Sequence, residues 1–248
     1  DSRLSLPATV ALACIDEAAR LARCSTDNVC RARPTLPLLR KLRPLLATAI
    51  GFQFGNRAST TQAALMGDLV PSVDGFLLRV RRQKGKAADL RFRVVSIPVV
   101  TPLQQRLRAL LEWWRTSKQL VCPEFECPEL ASETGRFWEL PFEHLFGPKI
   151  DFTSATQTSW LREAMVMVGA SAPPGYTYTS HSLRHGMASA AAAIDVPAHK
   201  IRHLGGWAVG STTLNDYVNL HVLASDAAYE FFEFMLGRRR NFTVAYRS

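Results

Sequence analysis

A mainly α-helical fold carrying one small antiparallel β-hairpin is what this chain predicts, and three observations predict it. Apolar residues recur at spacings of three and four through most of the sequence, the period of a half-buried helix. Only two runs, 76–83 and 90–99, alternate and are rich in β-branched residues, and a short polar turn joins them. The 248 residues are 47% hydrophobic and 9% aromatic, enough for a real core and too apolar for intrinsic disorder. No apolar stretch reaches the ~18–20 residues of a bilayer span, because Arg, Asp, Glu or Pro interrupts each one, so a membrane partner is not expected.

Residues 6–23 have helical spacing, and the polar, Cys-containing stretch up to Pro34 and Pro37 reads as a linker, which sets 1–33 apart from 34–248. The run 38–54 is basic first and apolar afterwards, a helix entering the core, with Pro44 an internal disturbance and Gly55-Asn56 its exit turn. After Arg57, ASTTQAALMGDLV predicts another short helix, and 71–75 is turn chemistry. The hairpin 76–99 follows, with Lys84 and Lys86 at its tip. Pro102 in a first turn opens a surface helix over 102–115. Residues 116–151 show no period and are assigned as one long irregular connection. A helix over 154–169 is capped by Thr153 or Ser154, and SAPPGYTYTS is a loop. Helices then follow at 181–194, from Pro197 to Gly205-Gly206, from near Ser211 through Tyr217, and at 225–236.

Thirty Lys and Arg against 21 Asp and Glu leave a net charge of +9, and the lysines are only Lys41, Lys84, Lys86, Lys118, Lys149 and Lys200. Guanidinium forks match phosphate oxygens bidentately, so this arginine bias points to a polyanion, nucleic acid being the commonest, with a generic basic surface as the plainer alternative. Cys14, Cys24, Cys30, Cys122 and Cys127 form an odd set without a CxxC pair or an N-terminal signal segment, so reduced thiols in an intracellular protein are expected. Opening at Asp1 reads as a domain cut from a longer protein.

His-x-x-Arg occurs at His181–Arg184 and at His199–Arg202; six histidines in a chain about one-tenth arginine give on the order of 0.6 matches by chance, so neither informs alone. The surroundings single out the first. Arg57 follows a Gly-containing turn, with Asp68 eleven residues on. Lys84 sits at a hairpin tip, with Lys86 as competitor. After His181 and Arg184, Trp207 follows Gly205-Gly206, and Tyr217 lies on the next helix. In this order the residues resemble the catalytic domain of the tyrosine recombinase (phage integrase-like) family, over roughly 38–235.

The resemblance implies the integrase catalytic fold and a DNA strand-exchange enzyme, from a mobile element. Exchanging a phosphodiester through a covalent link needs a nucleophile, neutralised non-bridging oxygens and a proton for the leaving 5′ oxygen. Tyr217 is then the nucleophile that forms a 3′-phosphotyrosyl bond, Arg57 and Arg184 clamp the phosphate, and Lys84 delivers the proton. His181 serves as acid–base partner or phosphate ligand, and Trp207 supplies an indole N–H and packing. No metal or nucleotide cofactor is expected, because the link conserves the bond energy. The expected partners are double-stranded DNA and further copies of the chain, as DNA-induced dimers or tetramers held by the apolar helix 225–236; residues 1–33 would be the remnant of a DNA-clamping domain. His199, Arg202 and His203 are helix-surface or DNA-backbone residues. Two departures stand out: Thr60 occupies a position where the family has an acidic residue, and the Trp207–Tyr217 spacing is one residue longer than its commonest value. They leave a DNA-binding module that has lost cleavage as an alternative. A type IB topoisomerase or telomere resolvase shares the chemistry without strand exchange.

Overall fold

The computed structural model describes residues 4–55, 57, 58, 60, 64–72, 75–80, 93–98, 101–141, 143, 153–208 and 214. Among them the elements are α1 (Ala8–Leu21), α2 (Leu36–Phe54), β1 (Leu69–Ser72), β2 (Gly75–Val80), β3 (Arg93–Pro98), α3 (Pro102–Glu124), α4 (Pro128–Ala131), α5 (Ser154–Met167), α6 (Ser180–Ala193) and α7 (Ala198–Gly205). The predicted class is observed: mainly helical with one small antiparallel sheet. No described helix is long and apolar enough to cross a membrane.

The centre is α2. Thr35 caps it by accepting from the Leu38 N–H at 3.4 Å, and it buries Leu39, Leu42, Leu45, Leu46, Ile50 and Phe54 against α1, α5 and α6. Pro44 has no N–H for the carbonyl one turn back, yet the helix runs through it, because the leucines on both sides are fully buried. α1 shares this core through Cys14, Ile15, Ala18 and Ala19. The segment before α1 packs along α6: the Leu6 N–H donates to the Ser182 carbonyl at 2.9 Å, and the Ser5 and Ser189 hydroxyls meet at 3.2 Å.

Four expectations are corrected. The connection 116–151 is not irregular throughout. α3 continues to Glu124, burying Ser117, Lys118, Val121 and Cys122, and Phe137, Trp138 and Leu140 enter the core beside Trp114. The rings of Phe137 and Trp138 meet edge to face, their centroids 4.7 Å apart. The helix predicted after Arg57, over 58–70, is not continuous either. Leu65 forms an isolated bridge with Arg136 and residues 66–68 turn, bonding to 133–137 (Met66 N–H to Gly135 carbonyl 2.8 Å, Phe137 N–H to Ala64 carbonyl 2.9 Å), and Leu69–Ser72 is a strand rather than a turn. The sheet therefore has three strands in the order β1-β2-β3, with Leu69 opposite Leu78 and Leu78 opposite Val95. Pro71 is tolerated because β1 is an edge strand. Lastly, Cys24 and Cys30 are not reduced thiols. The tight turn after α1 pairs them antiparallel, Cα atoms 3.9 Å apart, and a disulfide joins them; Cys14, Cys122 and Cys127 are free and buried.

Lys118 is fully buried. Its ammonium donates to the carbonyls of Arg136 and Phe137, pinning the segment that bridges to Leu65. Close by, Arg43 forms an ion pair with Glu143 at 2.6 Å and lies over the Trp160 ring at 4.7 Å.

Candidate active site

The site is organised by α6. Thr179 caps its N-terminus in a reciprocal box, the Thr179 N–H donating to the Ser182 hydroxyl at 3.0 Å. Ser182, Gly186, Ala188 and Ser189 are small and buried, so the backbone comes close to its neighbours. His181 and Arg184, three residues apart, lie on one side of this helix. Their environments differ: His181 is exposed at the first turn, and Arg184 is only 2% exposed.

Burying a guanidinium requires acceptors and compensating negative potential. The fold supplies both from two helix C-termini, whose carbonyls carry the negative end of the macrodipole. Arg184 Nη1 donates to the Gly55 carbonyl at 2.6 Å, at the end of α2, and to the Gly205 carbonyl at 2.5 Å, at the end of α7. The guanidinium carbon lies 3.6 Å above the Trp207 ring centroid, a cation–π stack. One side chain thus joins three helices and the indole.

Glycine is required at both contacts. Gly55 has φ 54° in the left-handed cap of α2, and a Cβ there would overlap Met187 of α6. At Gly205 a Cβ would overlap the Trp207 ring, which folds back over the end of α7. The return is made by Gly206, left-handed at φ 69°, and by the Trp207 N–H donating to the Arg202 carbonyl at 2.9 Å. Trp207 is buried with Met187, Ala188, Ile201 and Leu214.

Arg57 stands two residues beyond Gly55, exposed, its carbonyl accepting from the Thr60 N–H at 2.9 Å. Asp68 is a tie within this loop. It is buried, its carboxylate accepts from the Leu65 N–H at 3.0 Å, and its carbonyl accepts from the Arg79 N–H of β2 at 2.7 Å. The structure therefore brings together the loop of Arg57, the helix of His181 and Arg184, and Trp207. Lys84, Lys86, Tyr217 and the helix 225–236 lie outside the described residues. Sequence reasoning missed the Gly55 and Gly205 carbonyls as Arg184 acceptors; the glycine that closes each helix was the available signal. On α7, His199, Lys200 and His203 are exposed, and the helix is anchored by buried Ile201.

This architecture matches solved structures. XerH site-specific recombinase bound to palindromic difH substrate, in a post-cleavage complex, aligns with TM-score 0.57 at 13% identity over 95% of this chain and 53% of that chain. A lambda integrase dimer bound to a COC′ core site aligns with TM-score 0.52 at 18% identity, over 88% of this chain and 49% of that chain. The chain has the tyrosine recombinase catalytic fold. The pre-cleavage complex of XerH with difH agrees, with TM-score 0.55 at 14% identity over 92% of this chain and 53% of that chain. The recombinase-fold chain thus spans about half the length of these structures. No protein-family model matches it, and no curated protein matches it in sequence.

Proposed function

We propose that this chain is the catalytic domain of a site-specific DNA recombinase or integrase of a mobile element, which cleaves and rejoins DNA through a 3′-phosphotyrosyl intermediate. The observation that carries the reading is Arg184, fixed by two helix C-termini and an indole in a tyrosine recombinase fold, with exposed Arg57 two residues beyond its Gly55 anchor. The Tyr217 oxygen, its proton passing to His181 or to water, attacks the scissile phosphorus and forms the phosphotyrosyl bond as the bond to the 5′ oxygen breaks. Lys84, or Lys86 beside it, gives that oxygen its proton, so a 5′ hydroxyl leaves. Arg57 and Arg184 neutralise the charge gathering on the non-bridging oxygens, and His181 holds or exchanges a proton at the phosphate. Attack of a 5′ hydroxyl on the phosphotyrosine restores the diester, which needs no metal or nucleotide. The partner is double-stranded DNA, on which copies assemble through the helix 225–236, and the protein works where cellular DNA is.

Nicked suicide duplexes incubated in EDTA test this. The native chain is expected to form an SDS-resistant protein–DNA adduct and Tyr217→Phe none; DNA binding without an adduct from the native chain overturns the reading. That second outcome supports the alternative of a cleavage-deficient DNA-binding module, which Thr60 favours by removing the carboxylate expected near the histidine. An adduct without two-duplex joining supports a type IB topoisomerase or telomere resolvase.

A further inference from the structure

The loop between α5 and α6 carries a motif that strand cleavage does not use, Pro173-Pro174-Gly175-Tyr176. With 14 prolines and five tyrosines in the chain, Pro-Pro-x-Tyr is expected by chance on the order of 0.02 times. The fold displays it. Both legs of the loop are anchored on one small core: Ala170 and Ala172 pack against it on the incoming side, and Tyr178 is buried in it on the outgoing side with Leu6, Leu161, Met165 and Leu183. The residues between them, 173–177, are all exposed, Tyr176 to 47%. The contrast between the two tyrosines is informative, since an aromatic ring that served only packing would be buried as Tyr178 is.

The tip stands clear of the protein. A Cβ built on Gly175 has no heavy atom within 4 Å. The Tyr176 N–H donates to the Pro173 carbonyl at 3.1 Å and Gly175 has φ 80°, a tight turn with proline before glycine. The prolines hold the backbone near polyproline II and have no N–H to satisfy, so the segment is exposed without orphaned donors.

We propose that Pro173-Pro174-Gly175-Tyr176 is a docking ligand for a proline-recognition module of the WW type. Paired aromatic rings of the module take the two prolines, and a neighbouring pocket takes the tyrosine. Docking lays the segment out as an extended chain, so the turn opens and the Tyr176 N–H leaves the Pro173 carbonyl. The module then sits five residues before His181, within about 18 Å along the chain, so it reaches the edge of the candidate active site. The proposal goes beyond the recombinase reading and stands independently of it.

The test is calorimetric titration of the whole 248-residue chain with a purified WW domain that selects Pro-Pro-x-Tyr peptides, beside a synthetic Ser171–Thr177 peptide. One-to-one binding is expected for both. Pro174→Ala and Tyr176→Ala, at exposed positions and with unchanged circular dichroism, are each expected to weaken it at least about tenfold. Gly175→Ala, strained in the turn and not in the extended form, is expected to bind at least as tightly as the native chain. Binding by the peptide but not by the chain, binding by neither, or equal affinity in Tyr176→Ala overturns the proposal. A loss in Gly175→Ala as large as that in Tyr176→Ala overturns extended docking.

Discussion

Lys118 has its ammonium buried against two carbonyls, and burial pushes its pKa from 10.5 down to about 8, with Arg43 adding to the fall and Cys122, Glu139 and Glu143 opposing it. A folded-state value below the unfolded one means that the unfolded chain binds the proton more tightly between these limits. Stability is therefore lowest below pH 8 and rises with pH above it, by roughly 3 kcal/mol if the full shift is expressed. The three buried free thiols act in the opposite sense: burial raises Cys14 to about 12 and Cys122 to about 11 from 9.0 and pushes Cys127 up as well, so each costs stability as pH climbs past 9. The lysine effect is cleanest between pH 8 and 9. Urea unfolding across that window is expected to show the native chain gaining stability with pH and Lys118→Met losing the rise; an identical slope in both refutes the assignment. At this same scale Arg184 and Trp207 were legible as a motif, because their side-chain types and order carry the signal. Arg184's acceptors were not, since backbone carbonyls leave no mark in a sequence beyond the glycines that permit them.

Elements were legible where their boundaries carry chemistry. α2, α5, α6 and α7 lie close to their expected spans because Thr35, Thr153, Thr179 and Pro197 start them and Gly55 and Gly206 stop two of them. The second half of α3 escaped notice because its buried face includes Ser117 and Lys118, which read as polar surface, and β1 escaped because four residues with a proline resemble a turn. The disulfide escaped because spacing alone does not reveal which cysteines meet. Gly55→Ala tests the junction of α2 and α6. It places a side chain at φ 54° and against Met187, and thermal unfolding is expected to show a loss of at least about 1–2 kcal/mol. Cys24→Ser with Cys30→Ser is expected to cost about 2 kcal/mol in non-reducing urea titrations, the value for closing so short a loop. No difference from the native chain would show that the crosslink adds nothing.

At the scale of the molecule, the helix 225–236 is proposed to hold copies of the chain together on DNA through its broad apolar face. Deleting 225–248 is expected to leave the monomer folded by circular dichroism while abolishing cooperative DNA binding in gel-shift titrations; retained cooperativity refutes the role proposed for the helix 225–236. The bond from Leu6 to Ser182 and the contact from Ser5 to Ser189 also govern how the chain is made. At a synthesis rate of about 5–20 residues per second, Leu6 waits roughly 10–40 s on the ribosome before α6 is translated. Throughout that interval Leu6 lacks its Ser182 acceptor, and the apolar side chains of Leu4 and Leu6 stay open to chaperones. The helix that bears Arg184 is completed only when it meets residues made 184 positions earlier, Ser5 against Ser189.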